Sequence, residues 1–259
     1  MSFLQKLVAE VPSPLLALLM IGILMAFSVA GTWTVRRLIP YDRLKRHHEV
    51  ASPIFGMVGT LYAVFLAFIV IAVWEHFETA NCNVRQEAIY LADVYRNAEA
   101  FSPDFTQQVA RLTRQYREEV IKKEWKNMTH GQASPEVERQ IRDIWAIYTK
   151  YSPRNDTEQA FFEESLDKLN DLRELRRRRL MEANTGIHFM LWLILGIGAF
   201  ATISFTFLFG AESLPVHLLM EILLSIVVGL ILFTILSMDY PFSGGISISP
   251  APFQQLLLD

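Results

Sequence analysis

Residues 56–80 read GMVGTLYAVFLAFIVIAVWEHFETA, and the course of this one stretch decides the fold. From Gly56 to Val73 there is no charge; Trp74 then sits against Glu75, and His76 and Glu78 follow. An α-helix needs roughly 20 apolar residues to cross a hydrocarbon core, and Trp is enriched where such a helix meets water. The stretch therefore reads as a membrane span, here Pro53 to Trp74, that emerges into water without a turn signal. Val84, Ala88, Leu91, Tyr95 and Ala98 carry a helical stripe onward.

Three further blocks lack Lys and Arg and have spanning length: Pro14 to Val35, Ile187 to Phe209 and Leu214 to Met238. Of the 259 residues, 52% are hydrophobic, and they are gathered into these blocks rather than spread along the chain. Alternating strand patterns are absent, which argues against an outer-membrane barrel. The first block follows Pro12 and Pro14 and has no clean cleavage site before Arg36, so it reads as a span rather than a secretory signal. One cysteine, Cys82, allows no internal disulfide framework or metal cluster, and a net charge of -3 gives no reason to expect nucleic acid.

The expected fold is an all-α integral membrane protein with four spans and a helical soluble domain between the second and third. The domains are then 1–74 (spans one and two with a basic loop), 75–186 (helical domain), 187–240 (spans three and four) and 241–259 (extended tail). Within the domain, Ser102-Pro103-Asp104 breaks the first helix, and Phe105, Val109, Leu112, Tyr116 and Val120 stripe a second that stops near Gly131. Ser134-Pro135-Glu136 starts a third helix, through Val137, Ile141, Ile144 and Tyr148. Asp156 or Thr157 caps a fourth, whose stripe Phe162, Leu166, Leu169, Leu172 and Leu175 leads toward span three. The tail, with Gly244-Gly245, Pro250 and Pro252, is expected to be extended.

Charge sets the orientation. Arg36, Arg37, Arg43, Lys45 and Arg46 follow span one, whereas Lys6, Arg85, Lys168, Arg173 and the run Arg176 to Arg179 lie on the domain side. By the positive-inside rule the larger group is cytoplasmic, so the domain and both termini are expected inside a bacterial inner membrane.

The segments GMVGTLYAVFLAFIVIAVWEHFETA, EAIYLADVYRNA, EEVIKKEW, the RRRRL run and MDYPFSGGISISPAPF, in this order, resemble the bestrophin-like family of membrane proteins. The resemblance runs from about span two to the C-terminus. It implies the bestrophin layout, a cytoplasmic helical domain, and a pentamer built around the second spans that conducts small ions. No acidic segment resembles the bestrophin calcium clasp, and no cofactor is expected.

Candidate sites follow from the spans. Gly56, Thr60, Ala63 and Ala67 make a small-residue face for close helix packing. Val58, Leu61, Phe65 and Phe68 make a bulky face that would gate by dewetting if it lined a pore. Glu75, His76 and Glu78 would form a charged ring at its mouth, in which the carboxylates favour cations. In span four, His217, Glu221, Ser225 and Gly229 recur every four residues as a polar strip, with Glu221 about 10 Å inside the span. A carboxylate that deep faces protein or a wet cavity, or the span begins later and the strip lies at the interface. Arg176, Arg177, Arg178 and Arg179 are read as a flank for anionic headgroups, with salt bridges to Glu174, Glu182 or Asp171 as the alternative. No phosphate loop, zinc motif or nucleophile elbow occurs, so an enzyme is not expected. The first functional reading is an oligomeric ion channel with the lipid bilayer and small ions as partners. The alternative is a membrane sensor, partner-binding protein or scaffold without conduction.

Overall fold

A computed structural model describes residues 3–209 and 213–256, with residues 41–50 given as helix backbone only. Among the described residues the regular structure is entirely helical. In chain order the helices are α1 Phe3–Glu10, α2 Ser13–Leu38, α3 Tyr41–Asn97, α4 Pro103–Glu119, α5 Trp125–Met128, α6 Pro135–Tyr148, α7 Asp156–Glu182, α8 Phe189–Thr206, α9 Leu214–Asp239 and α10 Ala251–Gln254. Four of them hold segments long and apolar enough to cross a membrane: α2, α3, α8 and α9. The chain is thus a multi-pass, all-α membrane protein.

The chain divides into two compact units. The span unit comprises Glu10–His76 and Gly186–Asp239. Its main contact is α2 lying along α9. Gly229 permits this approach, because a Cβ at that position would sit 3.1 Å from the Ile21 backbone. Span two is covered along one line only, Tyr62, Leu66, Ile69 and Val73. Tyr62 lies across Gly198 and donates its hydroxyl to the Leu195 carbonyl at 2.9 Å, which ties α3 to α8. Phe27 meets Phe200 edge to face at 4.8 Å, tying α2 to α8.

The second unit comprises Met1–Ala9, Phe77–Thr185 and Tyr240–Asp259. Its core takes Val84, Ala88, Leu91 and Val94 from α3, Ala98 from the short 3-10 turn that follows it, Phe105, Val109 and Tyr116 from α4, Val137, Ile141, Ile144 and Tyr148 from α6, and Leu169 and Leu172 from α7. These are mostly the stripes legible in the sequence. Pro103 and Pro135 open α4 and α6, where a missing N–H costs nothing. The cap of α7 is Asn155, one residue before the expected Asp156 or Thr157; its side chain accepts from Glu158 N at 2.8 Å.

Two expectations change. The fourth domain helix does not run into span three: α7 stops at Glu182, and α8 starts afresh after His188, whose Nδ1 accepts from Met190 N at 3.3 Å. Thr185 and Gly186 interrupt the apolar stripe at this break. The tail is extended in part only, since Pro250 starts the short α10, and it is a built-in part of the domain core. Phe242, Ile248 and Phe253 are buried there, and Trp125 Nε1 donates to the Ile248 carbonyl at 3.1 Å. An N-terminal helix, α1, also joins this unit through buried Val8 and a 2.8 Å bond from Gln5 Nε2 to the Ala183 carbonyl.

Candidate functional site

Span two presents the first set of candidates. Gly56, Thr60, Ala63 and Ala67 are all exposed, so among the described residues no helix packs on the small-residue face. A shallow groove of about 440 Å³ runs there, lined by Pro53, Gly56, Met57, Thr60 and Leu61. The bulky face is split: Leu61 and Phe68 are exposed, whereas Val58 and Phe65 are half-buried inside the protomer. The uncovered bulky line is instead Met57, Leu61, Val64, Phe68 and Ile71, alternating steps of four and three, and Glu75 and Glu78 continue it. Sequence reasoning missed Met57, Val64 and Ile71 because an all-apolar helix has no internal signal of which side its own chain covers. Glu75 and Glu78 are exposed, while His76 is half-buried with Nε2 turned inward and without a hydrogen-bond partner.

Span four presents the second set. The helix starts at Leu214, where the apolar block starts, and Glu221 is buried against protein at 2% exposure. Thr32 Oγ1 lies 2.6 Å from each carboxylate oxygen. Ser28 donates to Oε2 at 3.2 Å, and Thr206 reaches Oε1 at 3.1 Å. His217 Nε2 lies 3.1 Å from Oε1 and equally far from the Thr206 carbonyl. Arg36 Nη2 stands 3.2 Å from His217 Nδ1; a guanidinium only donates, so Nδ1 accepts and Nε2 carries the proton toward Glu221. The carboxylate is solvated by hydroxyls and one imidazole from three helices. An acid at that depth is sustained by the hydrogen bonds it receives from protein. The partners lie on other helices, beyond the reach of periodicity.

The third set, the arginine run expected to flank the headgroups, is turned half inward by the structure. Arg176 and Arg179 are buried at 4% and 0% exposure. Arg179 pairs with Glu87 at 2.7 Å and Glu124 at 2.8 Å, and Arg176 with Glu124 at 2.7 Å and with Glu138. That takes both out of reach of headgroups. Arg178 pairs with Glu174 at 3.0 Å on the surface, and Arg177 stays exposed. Residues one and four of an α-helical run of four share a face, and here that face is the core.

A π-helical turn, Val120–Glu124, delivers the central carboxylate. Tyr116, Val120, Glu124 and Met128 are all fully buried at steps of four. In a regular α-helix each such step drifts by about 40°, so the four would spread over about 120°. The wider π turn takes up that drift and keeps them on one side. Burial works to raise the Glu124 carboxyl, but Arg179 and Arg176 outweigh it and hold its pKa below the ordinary value. Burial, with Glu87 beside it, pushes the Tyr116 hydroxyl well up; it donates to Glu87 at 2.7 Å.

The description of the bestrophin-like domain matches residues 22–253, nearly the whole chain, and the protein belongs to that family. Among solved structures it is similar to the crystal structure of a membrane protein, at 12% identity and TM-score 0.67 over 92% of this chain and 94% of that one. It is similar also to a bacterial bestrophin homologue from Klebsiella pneumoniae, at 12% identity and TM-score 0.65 over 92% of this chain and 96% of that one. At such identity the likeness shows the fold. No curated protein matches the sequence.

Proposed function

We propose that the protein assembles as a closed homo-oligomer, a pentamer by its family resemblance, and conducts small ions along an axis lined by the second span. The observation that carries this is the bare side of α3: of the four spans it is the least buried within its own chain. A helix in a closed ring needs one side for its own protomer, one for a neighbour and one for the axis. Tyr62, Leu66, Ile69 and Val73 serve the first. Gly56, Thr60, Ala63 and Ala67, with the groove beside them, suit close approach of a neighbouring helix. Met57, Leu61, Val64 and Phe68 then face the axis as a constriction that excludes water until the helices part. Glu75 and Glu78 lie on the same line and set a negative mouth, which favours cations.

Cysteine substitution tests the assignment in a Cys82→Ser background, since Cys82 is itself exposed. A charged thiol reagent should block flux in liposomes for Leu61→Cys, Val64→Cys and Phe68→Cys, and leave Tyr62→Cys unaffected. Absence of flux through the unmodified protein at every voltage and pH would instead favour a sensor or scaffold.

A further inference from the structure

The Glu221 cage has an unfinished side. Along α9, Ser225 lies one turn beyond Glu221; along α8, Thr202 lies one turn before Thr206. Consecutive helices that meet at Thr206 and Glu221 run antiparallel, so Thr202 and Ser225 fall at one depth, beside Ser28 of α2. Thr202 is 5% exposed and Ser225 is fully buried, yet neither hydroxyl has a hydrogen-bond partner. A buried hydroxyl left alone costs about 1–3 kcal/mol, so two of them at one depth, each a turn from the Glu221 cage, call for an occupant.

We infer that Glu221, Ser28, Thr202 and Ser225 form an internal site for a small monovalent cation of the Na+ or Li+ class. The donor set is oxygen only, which selects hard cations. One carboxylate among neutral hydroxyls matches a single positive charge. Oε2 of Glu221 is the anionic ligand; the Ser28 hydroxyl, whose proton goes to that oxygen, and the unpartnered Thr202 and Ser225 hydroxyls each have lone pairs to offer the ion. Arg36 does not occupy this place. It is eight residues from Ser28 on α2, about 12 Å along the axis, and reaches the cage from the other side through His217. The carboxylate thus stands between the two positive charges. The site is independent of the proposed axis and does not require that the protein conduct.

Thermal unfolding of the purified full-length protein, followed by tryptophan fluorescence, tests this in NaCl, LiCl, KCl and choline chloride at equal ionic strength. A ligand that binds only the folded state raises Tm with concentration. Na+ or Li+ should raise Tm saturably over choline, and K+ should do so less. Ser225→Ala, which removes a ligand and only a small group from the packing, should fold normally in choline and raise the half-saturating Na+ concentration by about tenfold or more. Glu221→Gln should abolish the ion-specific shift; if that variant does not fold, Thr202→Val combined with Ser225→Ala must abolish it instead. Equal Tm in sodium and choline, as a site filled by water alone would give, overturns the inference. So does a Na+ shift that the Thr202 and Ser225 substitutions leave intact.

Discussion

At the scale of single residues, the two acids that matter most are Glu221 and Glu124, and they are sustained in opposite ways. Glu221 is held by neutral donors, whereas Glu124 is held by two guanidinium groups. Removing one partner of a buried pair leaves an uncompensated charge, at a cost of about 3–5 kcal/mol. Arg179→Ala, which leaves Glu87 without a counter-charge and Glu124 with Arg176 as its remaining arginine, should therefore lower stability by about that much in chemical denaturation. The pH dependence has a definite sign. The Glu124 pKa is depressed in the fold, so its contribution is present above the ordinary value of 4.5 and is lost as pH falls through the folded value. Glu124→Gln should flatten the acid limb of a Tm-against-pH profile. Glu87, Glu124, Arg176, Arg179 and Phe253 come from four separate segments of the sequence, and the resemblance motifs EAIYLADVYRNA, EEVIKKEW, RRRRL and MDYPFSGGISISPAPF each contribute to this one cluster.

At the scale of elements, the α2–α9 contact rests on the absence of a side chain at Gly229. Gly229→Val would force new carbons against the Ile21 backbone and should destabilise the span unit by about 1–3 kcal/mol, readable as a lower Tm in detergent. The elements themselves were legible: span lengths, the proline starts of α4 and α6, and the stripes of the domain core all follow from local periodicity. What was not legible depends on partners distant in sequence. The π turn is invisible because Glu124 and Met128 fall off the α-helical stripe that ends at Val120, and only the buried arginines explain their inward course. The inward turn of Arg176 and Arg179 has the same cause, since a run of four arginines carries no sign of which face meets carboxylates. In span two, the small-residue face was readable by spacing, but the line Met57, Leu61, Val64 and Phe68 emerges only once Tyr62, Leu66, Ile69 and Val73 are known to be covered.

At the scale of the whole molecule, orientation and assembly each have a direct readout. A cytoplasmic domain keeps Cys82, which is exposed on α3, from an impermeant maleimide in intact cells and admits the reagent after lysis. Assembly is the condition for everything proposed of the axis, because a lone protomer has no closed path. Given a closed ring, Phe68 supplies the largest side chain of the uncovered line and Glu75 its first charge. Phe68→Ala should widen the constriction and raise ion leak from liposomes, since a broader apolar neck holds water at a lower cost. Glu75→Gln should leave that leak in place and reduce its preference for cations over anions, measured as a reversal-potential shift in a salt gradient, because the ring loses one negative charge per subunit. The two effects are separable: one changes how much passes, the other what passes. If Phe68→Ala is silent while Tyr62→Ala opens a leak, the uncovered line meets lipid, and the axis lies on the face that the protomer was taken to cover.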